Sequence, residues 1–197
     1  MLSTKQEKYM KHIIQKVTNI YKNFLTLNSI KVQVEYEDGH VQTLDRLLVE
    51  GKSAASVFIF DKKNDLTLMV EQFRIGMVNE KSALSIECPA GLIDEGETAL
   101  QAITREVKEE TGQEVDKSKF KQISEQSYLS CGTMSQTLSI FTYECDLSNV
   151  KEGIFGTDSE EYIQTRLIPY TEMVRRLKDL EIKHVSQIAA IQSTLLD

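Results

Sequence analysis

Glu106, Glu109 and Glu110 stand within five consecutive positions of the stretch "GLIDEGETALQAITREVKEETG", which runs from Gly91 to Gly112. Residues three and four apart are neighbours on a helix, and like charges at that spacing destabilise it by roughly 0.2–0.5 kcal/mol per pair. Projected at about 100° per residue, Leu100, Ile103 and Val107 form an apolar stripe, and the three glutamates lie just beside it. Gln101, Thr104, Arg105 and Lys108 take the wetter side. Most glutamate-rich helices are solvated acidic faces, but these glutamates miss the wet face. Carboxylates at the rim of a core call for a cation to share the place. Hard divalent cations take oxygen ligands, and magnesium commonly uses one or two carboxylates together with substrate phosphates. The chemistry on offer is a metal-assisted reaction at a phosphate.

Other segments must position this helix. Met10, Ile13, Ile14, Val17, Ile20, Tyr21 and Phe24 recur at helical spacing with lysines opposite, which predicts an amphipathic helix over residues 3–24. Val32, Val34 and Tyr36 alternate with polar residues ahead of Asp38-Gly39, the pattern of a hairpin. "AASVFIFDKKNDLTLMVEQFRI" gives two strands around a turn at Lys62–Asp65, and "LSIECPAGLI" a further extended segment. The glutamate helix is predicted from about Glu97 to Glu110, with Gly112 placed to end it. A loop and a strand follow in "SYLSCGTMSQTLSIFTYECDL", then a strand in "EYIQTRLIPY". "TEMVRRLKDL" and "VSQIAAIQSTLL" read as helices, the first capped by Thr171 with Glu172 in its first turn. The order predicts an α+β domain with a mixed sheet between helices.

Composition limits the partners. The formal net charge of −7 argues against a general nucleic-acid surface or an anionic membrane. No apolar run approaches the ~18 residues of a membrane span, and the N-terminus lacks the apolar core of a signal peptide. Cys88, Cys131 and Cys145 fit neither a zinc site nor a disulfide framework, so free thiols in a cytoplasmic protein are expected.

The wider pattern is Gly91, five residues, Glu97, seven residues, then Arg105-Glu106-Val107-Lys108-Glu109-Glu110-Thr111-Gly112. It closely resembles the Nudix box, the signature of the Nudix hydrolases. One position departs: Gln113 stands where the box ends in an aliphatic residue. The resemblance implies a loop–helix–loop on an α/β/α sandwich that hydrolyses a nucleoside diphosphate linked to another moiety. By position it implies Glu106 and Glu110 as ligands of Mg2+, with Mn2+ a substitute, and Glu109 as a ligand or a catalytic acid–base group beside them. The Ala90 carbonyl would be a further ligand. Glu97 would pair with Arg105 to orient the helix, and Gly91 and Gly112 would serve backbone geometry.

Beyond the box, "EQFRIG", "ECPAG", "GIFG" at Gly153–Gly156, Glu160-Glu161 and "IPYTEMVRRL" resemble the ADP-ribose pyrophosphatase branch. The likeness runs from about Val57 onward and implies cleavage of ADP-ribose to AMP and ribose 5-phosphate. Arg74 would face the substrate phosphates through bidentate contacts. Glu161 would reach metal in a closed complex, and the Gly153–Gly156 loop would be a lid. The loop "SCGTMSQT" departs from the branch: Cys131 replaces a proline, and Gln136 stands where a glutamate would act as base. Another carboxylate must then take the proton, Glu161 first and Glu109 second. Alternatives are a GDP-mannose or UDP-glucose pyrophosphatase and, from another class, a catalytically weak nucleotide-binding sensor. The branch also implies a homodimer. Residues 1–50 would be an N-terminal helix-and-strand extension at the dimer interface, and residues 51–197 the hydrolase domain.

Overall fold

The computed structural model describes residues 10–156 and 162–196. The chain divides into two compact units, one of residues up to Gly51 with Tyr128–Gln136, the other of Lys52–Ser127 with the residues from Thr137 on.

The first unit is a three-stranded antiparallel sheet of β1 (Lys11–Lys22), β2 (Thr26–Glu35) and β3 (Val41–Glu50), in that order. The β2–β3 turn is the expected one, with Gly39 at φ 83° and the Asp38 carboxylate accepting the His40 N–H at 2.9 Å. Val49 bridges to Met134, which ties the 128–136 segment to this unit.

The helix expected over residues 3–24 is wrong in its described part, which is strand β1. The cause lies in the register. Ile14 pairs with Val32 and Val17 with Ile30, so both stand on one face although three residues apart; the slip between Ile14 and Lys16 supplies the extra residue. A second slip falls between Asn19 and Tyr21. Each bulge turns a same-face spacing of two into three, and the mixture imitates a 3.6-residue period. The β-branched residues Ile13, Ile14, Val17, Thr18 and Ile20 favour the extended form, and β2 supplies its hydrogen-bonding partner.

In the second unit, β4 (Ala54–Asp61), β5 (Leu66–Phe73), β6 (Leu84–Glu87) and β7 (Ala90–Leu92) lead into α1 (Ala99–Thr111). Then come β8 (Phe120–Tyr128), β9 (Thr137–Glu144), β10 (Ile154–Phe155), β11 (Ile163–Ile168), α2 (Tyr170–Lys178) and α3 (Val185–Thr194). The sheet order is β10-β11-β5-β4-β9-β8, with β6 beside β5 and β7 beside β4. β4 and β9 run parallel while β4–β5 and β5–β11 are antiparallel, so the sheet is mixed.

β4 is buried on both faces, which is why its sequence is one apolar run. Val57 and Ile59 pack with Ala102, Ile103 and Val107 of α1. Phe58 and Phe60 pack on the other face with Met173 of α2 and Ala190 and Ile191 of α3. The fold is thus α+β, a mixed sheet between helices. Two local expectations need correction. β8 lies in a stretch for which no strand was expected. Thr171 is not the cap of α2; Pro169 holds that position, and Thr171 instead donates its N–H and hydroxyl to the Asp65 carboxylate, both at 2.8 Å. Asp65 has φ 54° in the β4–β5 turn, and this contact ties that turn to α2.

Candidate active site

α1 starts two residues later than its first predicted residue. The Thr98 hydroxyl accepts the Gln101 N–H and the Gln101 side chain accepts the Thr98 N–H, a reciprocal cap. Gly112 ends the helix at φ 68°, and a Cβ there would meet the Phe155 ring at 2.7 Å. The buried face carries Ala102, Ile103 and Val107 and continues through Glu110, three residues past Val107. A carboxyl therefore occupies a core position of an amphipathic helix.

Glu110 is 5% exposed, and its Oε2 accepts the Ala90 N–H at 3.0 Å. Burial pushes its pKa up from 4.5 to about 8; the Ala90 bond opposes this, and the neighbouring Glu106 and Glu87 add to it. Glu106 lies over the β7 backbone: a Cβ on Gly91 would stand 1.9 Å from its carboxyl carbon. Gly91 is thus required by a close approach.

Arg105 gathers the remaining acids. Its Nε and Nη2 donate to the two oxygens of Glu97 at 3.2 and 3.0 Å. Nη1 donates to Glu106 at 2.7 Å and Glu109 at 3.0 Å, and Nη2 also donates to the Leu92 carbonyl at 3.1 Å. Arg105 does not stay on the wet side where helical projection puts it; its length carries the guanidinium back across the acidic rim. Glu97 is held below its usual carboxylate range, chiefly by Arg105.

Arg74 follows β5, and its Nε donates to Oε1 of Glu87 at 2.6 Å. Glu87, on β6, is only 6% exposed. Its Oε2 lies 3.6 Å from Nε2 of His184, which is 2.6 Å from the Ser85 hydroxyl. The structure thus brings together Ala90, Gly91, Glu97, Arg105, Glu106, Glu109 and Glu110, while Arg74 is bonded to Glu87. Sequence reasoning missed Glu87, although it stands inside "ECPAG"; Ser85 two residues before it on the same strand face was the available signal. "GIFG" forms β10, paired with β11. Gln136 belongs to the first unit. Glu161 lies outside the described residues.

Among the described residues, no three His, Cys, Asp or Glu side chains stand gathered as a ready metal cage. The donor chemistry nonetheless fits a divalent cation: carboxylates of Glu106, Glu109 and Glu110 and a backbone carbonyl at Ala90 are hard oxygen donors. The raised Glu110 records chiefly the cost of burying its charged form, with Glu106 and Glu87 adding to it, and a cation bound there would favour that charged form. A cation would compete with Arg105 for Glu106 and Glu109.

A glycine-backed acidic helix on a mixed sheet defines a class of hydrolase. Residues 51–190 match the NUDIX domain family, and the chain belongs to the Nudix family, as a pyrophosphatase. Nudix enzymes generally use a divalent metal. The chain is 34% identical over 131 residues to nudix hydrolase 2 of Caenorhabditis elegans, covering 66% of this chain and 54% of that protein. It is 26% identical over 173 residues to the GDP-mannose pyrophosphatase of Klebsiella pneumoniae, covering 86% and 84%. It is 27% identical over 177 residues to the ADP-ribose pyrophosphatase of Escherichia coli, covering 88% and 82%. A crystal structure of an ADP compounds hydrolase shares the fold with a TM-score of 0.68 and 18% identity, over 94% of this chain and 93% of that one. Among the described residues, no helix is long and apolar enough to cross a membrane.

Proposed function

We propose that this enzyme hydrolyses the pyrophosphate of a nucleoside diphosphate linked to a sugar, ADP-ribose first, giving AMP and ribose 5-phosphate in the cytoplasm. The observation that carries the reading is the buried Glu110 carboxyl on the Ala90 amide, beside Glu106 laid over Gly91. Magnesium, with manganese as substitute, would be held by Glu106, Glu110 and the Ala90 carbonyl, and would neutralise charge on the phosphate oxygens and acidify a water. Arg74 binds the phosphates through the guanidinium edge that Glu87 leaves open. Arg105 keeps Glu106 and Glu109 oriented before substrate arrives. Glu161, or Glu109 in its place, takes the proton from the attacking water. Within the extension of residues 1–50, the apolar face of the β1–β3 sheet serves a homodimer.

A panel of ADP-ribose, sugar nucleotides and dinucleotides with magnesium, read as kcat/KM, tests this. Preference for ADP-ribose is the expected result, and failure to cleave any of them would sink it. GDP-mannose cleavage is the second reading, supported by the relative of that activity that aligns over 86% of this chain.

A further inference from the structure

α3 begins without a cap. His184 holds the cap position, but its side chain does not bond back to the first turn, and no acid stands in that turn. Its ring is engaged with Ser85. The first N–H groups of a helix have no partner within it. Those of Val185, Ser186 and Gln187 find none among the described residues. Such a terminus carries about half a positive charge.

A cavity of about 320 Å³ opens beside this terminus, lined by Lys81, Lys183, His184 and Gln187, with Met77 and Ile86 on its apolar side. Gln187 is the independent observation. It is 3% exposed, yet its amide makes no hydrogen bond to the described residues. No fully enclosed side-chain N or O among them lacks a partner, so the Gln187 amide must reach the open space of the cavity it lines.

The charges around the cavity favour an anion. Two acids line it with Lys81, Arg176 and Lys183: Glu80 is paired with Lys183 at 2.9 Å, and Glu181 shares Arg175 with Glu172 and Asp179, so the lining keeps an excess of one positive charge. Arg176 is paired with Glu172 at 2.8 Å. Lys81 is exposed and makes no ion pair with the described residues. Its charge therefore stands without an ion-pair partner in the cavity lining.

We propose that this cavity is a phosphate site separate from the α1 glutamates. It takes a phosphate monoester on the α3 N–H groups, the Gln187 amide and Lys81, with the organic part against Met77 and Ile86. A phosphate presents three oxygens to this set of donors, whereas a carboxylate has two to offer.

The test is ¹⁵N NMR of the full chain in EDTA, titrated with ribose 5-phosphate, inorganic phosphate, and chloride at matched ionic strength. Saturable shifts of the Ser186 and Gln187 backbone amides and the Gln187 side-chain NH₂, with ribose 5-phosphate and not with chloride, are expected. Binding at α1 would move α1 amides instead and does not count. Gln187→Leu should weaken the Kd by about tenfold or more, the scale of a hydrogen bond to a charged group. Lys81→Met, at an exposed position, should weaken it too and guards against misfolding of the first variant. Inorganic phosphate binding as tightly as ribose 5-phosphate would overturn the organic half of the proposal. Shifts that match chloride, or that persist unchanged in both variants, would overturn the site.

Discussion

The carboxyl carbon of Glu106 lies 1.9 Å from where a Cβ on Gly91 would stand, so the helix acid and the strand backbone cannot both keep their places if residue 91 carries a side chain. Gly91→Ala should therefore move Glu106 away from β7. A displacement of about 1 Å at a reacting centre costs on the order of 10²-fold, and turnover should fall by that much. Far-UV circular dichroism should stay native, since the core residues of α1 are untouched. Activity within a few-fold of wild type would show that the position of Glu106 is not critical.

Glu106→Gln and Glu110→Gln should each lower turnover by ~10² or more at saturating magnesium, because each removes charge stabilisation at the reacting phosphate. Glu110→Gln should leave the metal-free protein at least as stable to heat as wild type. Its neutral amide still offers an oxygen to the Ala90 N–H and carries no buried charge. Near wild-type rates in both variants would remove the metal-site reading.

The proton acceptor can be assigned by comparing two variants with ADP-ribose. Gln136→Ala should cost less than about tenfold, while Glu161→Gln should cost about 10² or more, the span of a lost acid–base group. The reverse order would give the water-positioning role to the loop that holds Gln136.

Ile14 and Val17 share a face with Ile30, Val32 and Val34, and they are 57% and 55% exposed. An apolar sheet face of this kind marks an interaction surface. Light scattering at micromolar concentration should return about twice the 22.4 kDa chain mass. Ile14→Lys with Val17→Lys should return one chain mass. A wild-type monomer would end the dimer proposal.

Cys131 is exposed and Cys88 is buried. Burial pushes the Cys88 thiol far up, and Cys145 to about 11. Because the thiolate is the nucleophile, iodoacetamide should label Cys131 first, Cys145 slowly and Cys88 only on unfolding, as read by peptide mass spectrometry. Equal labelling of Cys88 and Cys131 would mean that β6 opens readily.

The sequence by itself determined the features whose physics is local. The hairpin turn at Gly39, the two strands around the Lys62–Asp65 turn, the end of α1 at Gly112 and the crowding of Glu106, Glu109 and Glu110 were all legible, because φ preference, β-rich runs and i,i+4 spacing act over a few residues. Tertiary structure decided what depends on partners distant in the chain. β1 became a strand because β2 pairs with it through two bulges, and those bulges gave its sequence a false helical period. Arg105 left the wet side because Glu97, Glu106, Glu109 and the Leu92 carbonyl converge on one guanidinium. Thr171 served Asp65 in place of its own helix because the β4–β5 turn lies against α2. Glu87 gained its place beside Arg74 and His184 because β5, β6 and the start of α3 meet there. Spacing along a chain fixes which residues share a face, but only packing fixes what that face meets.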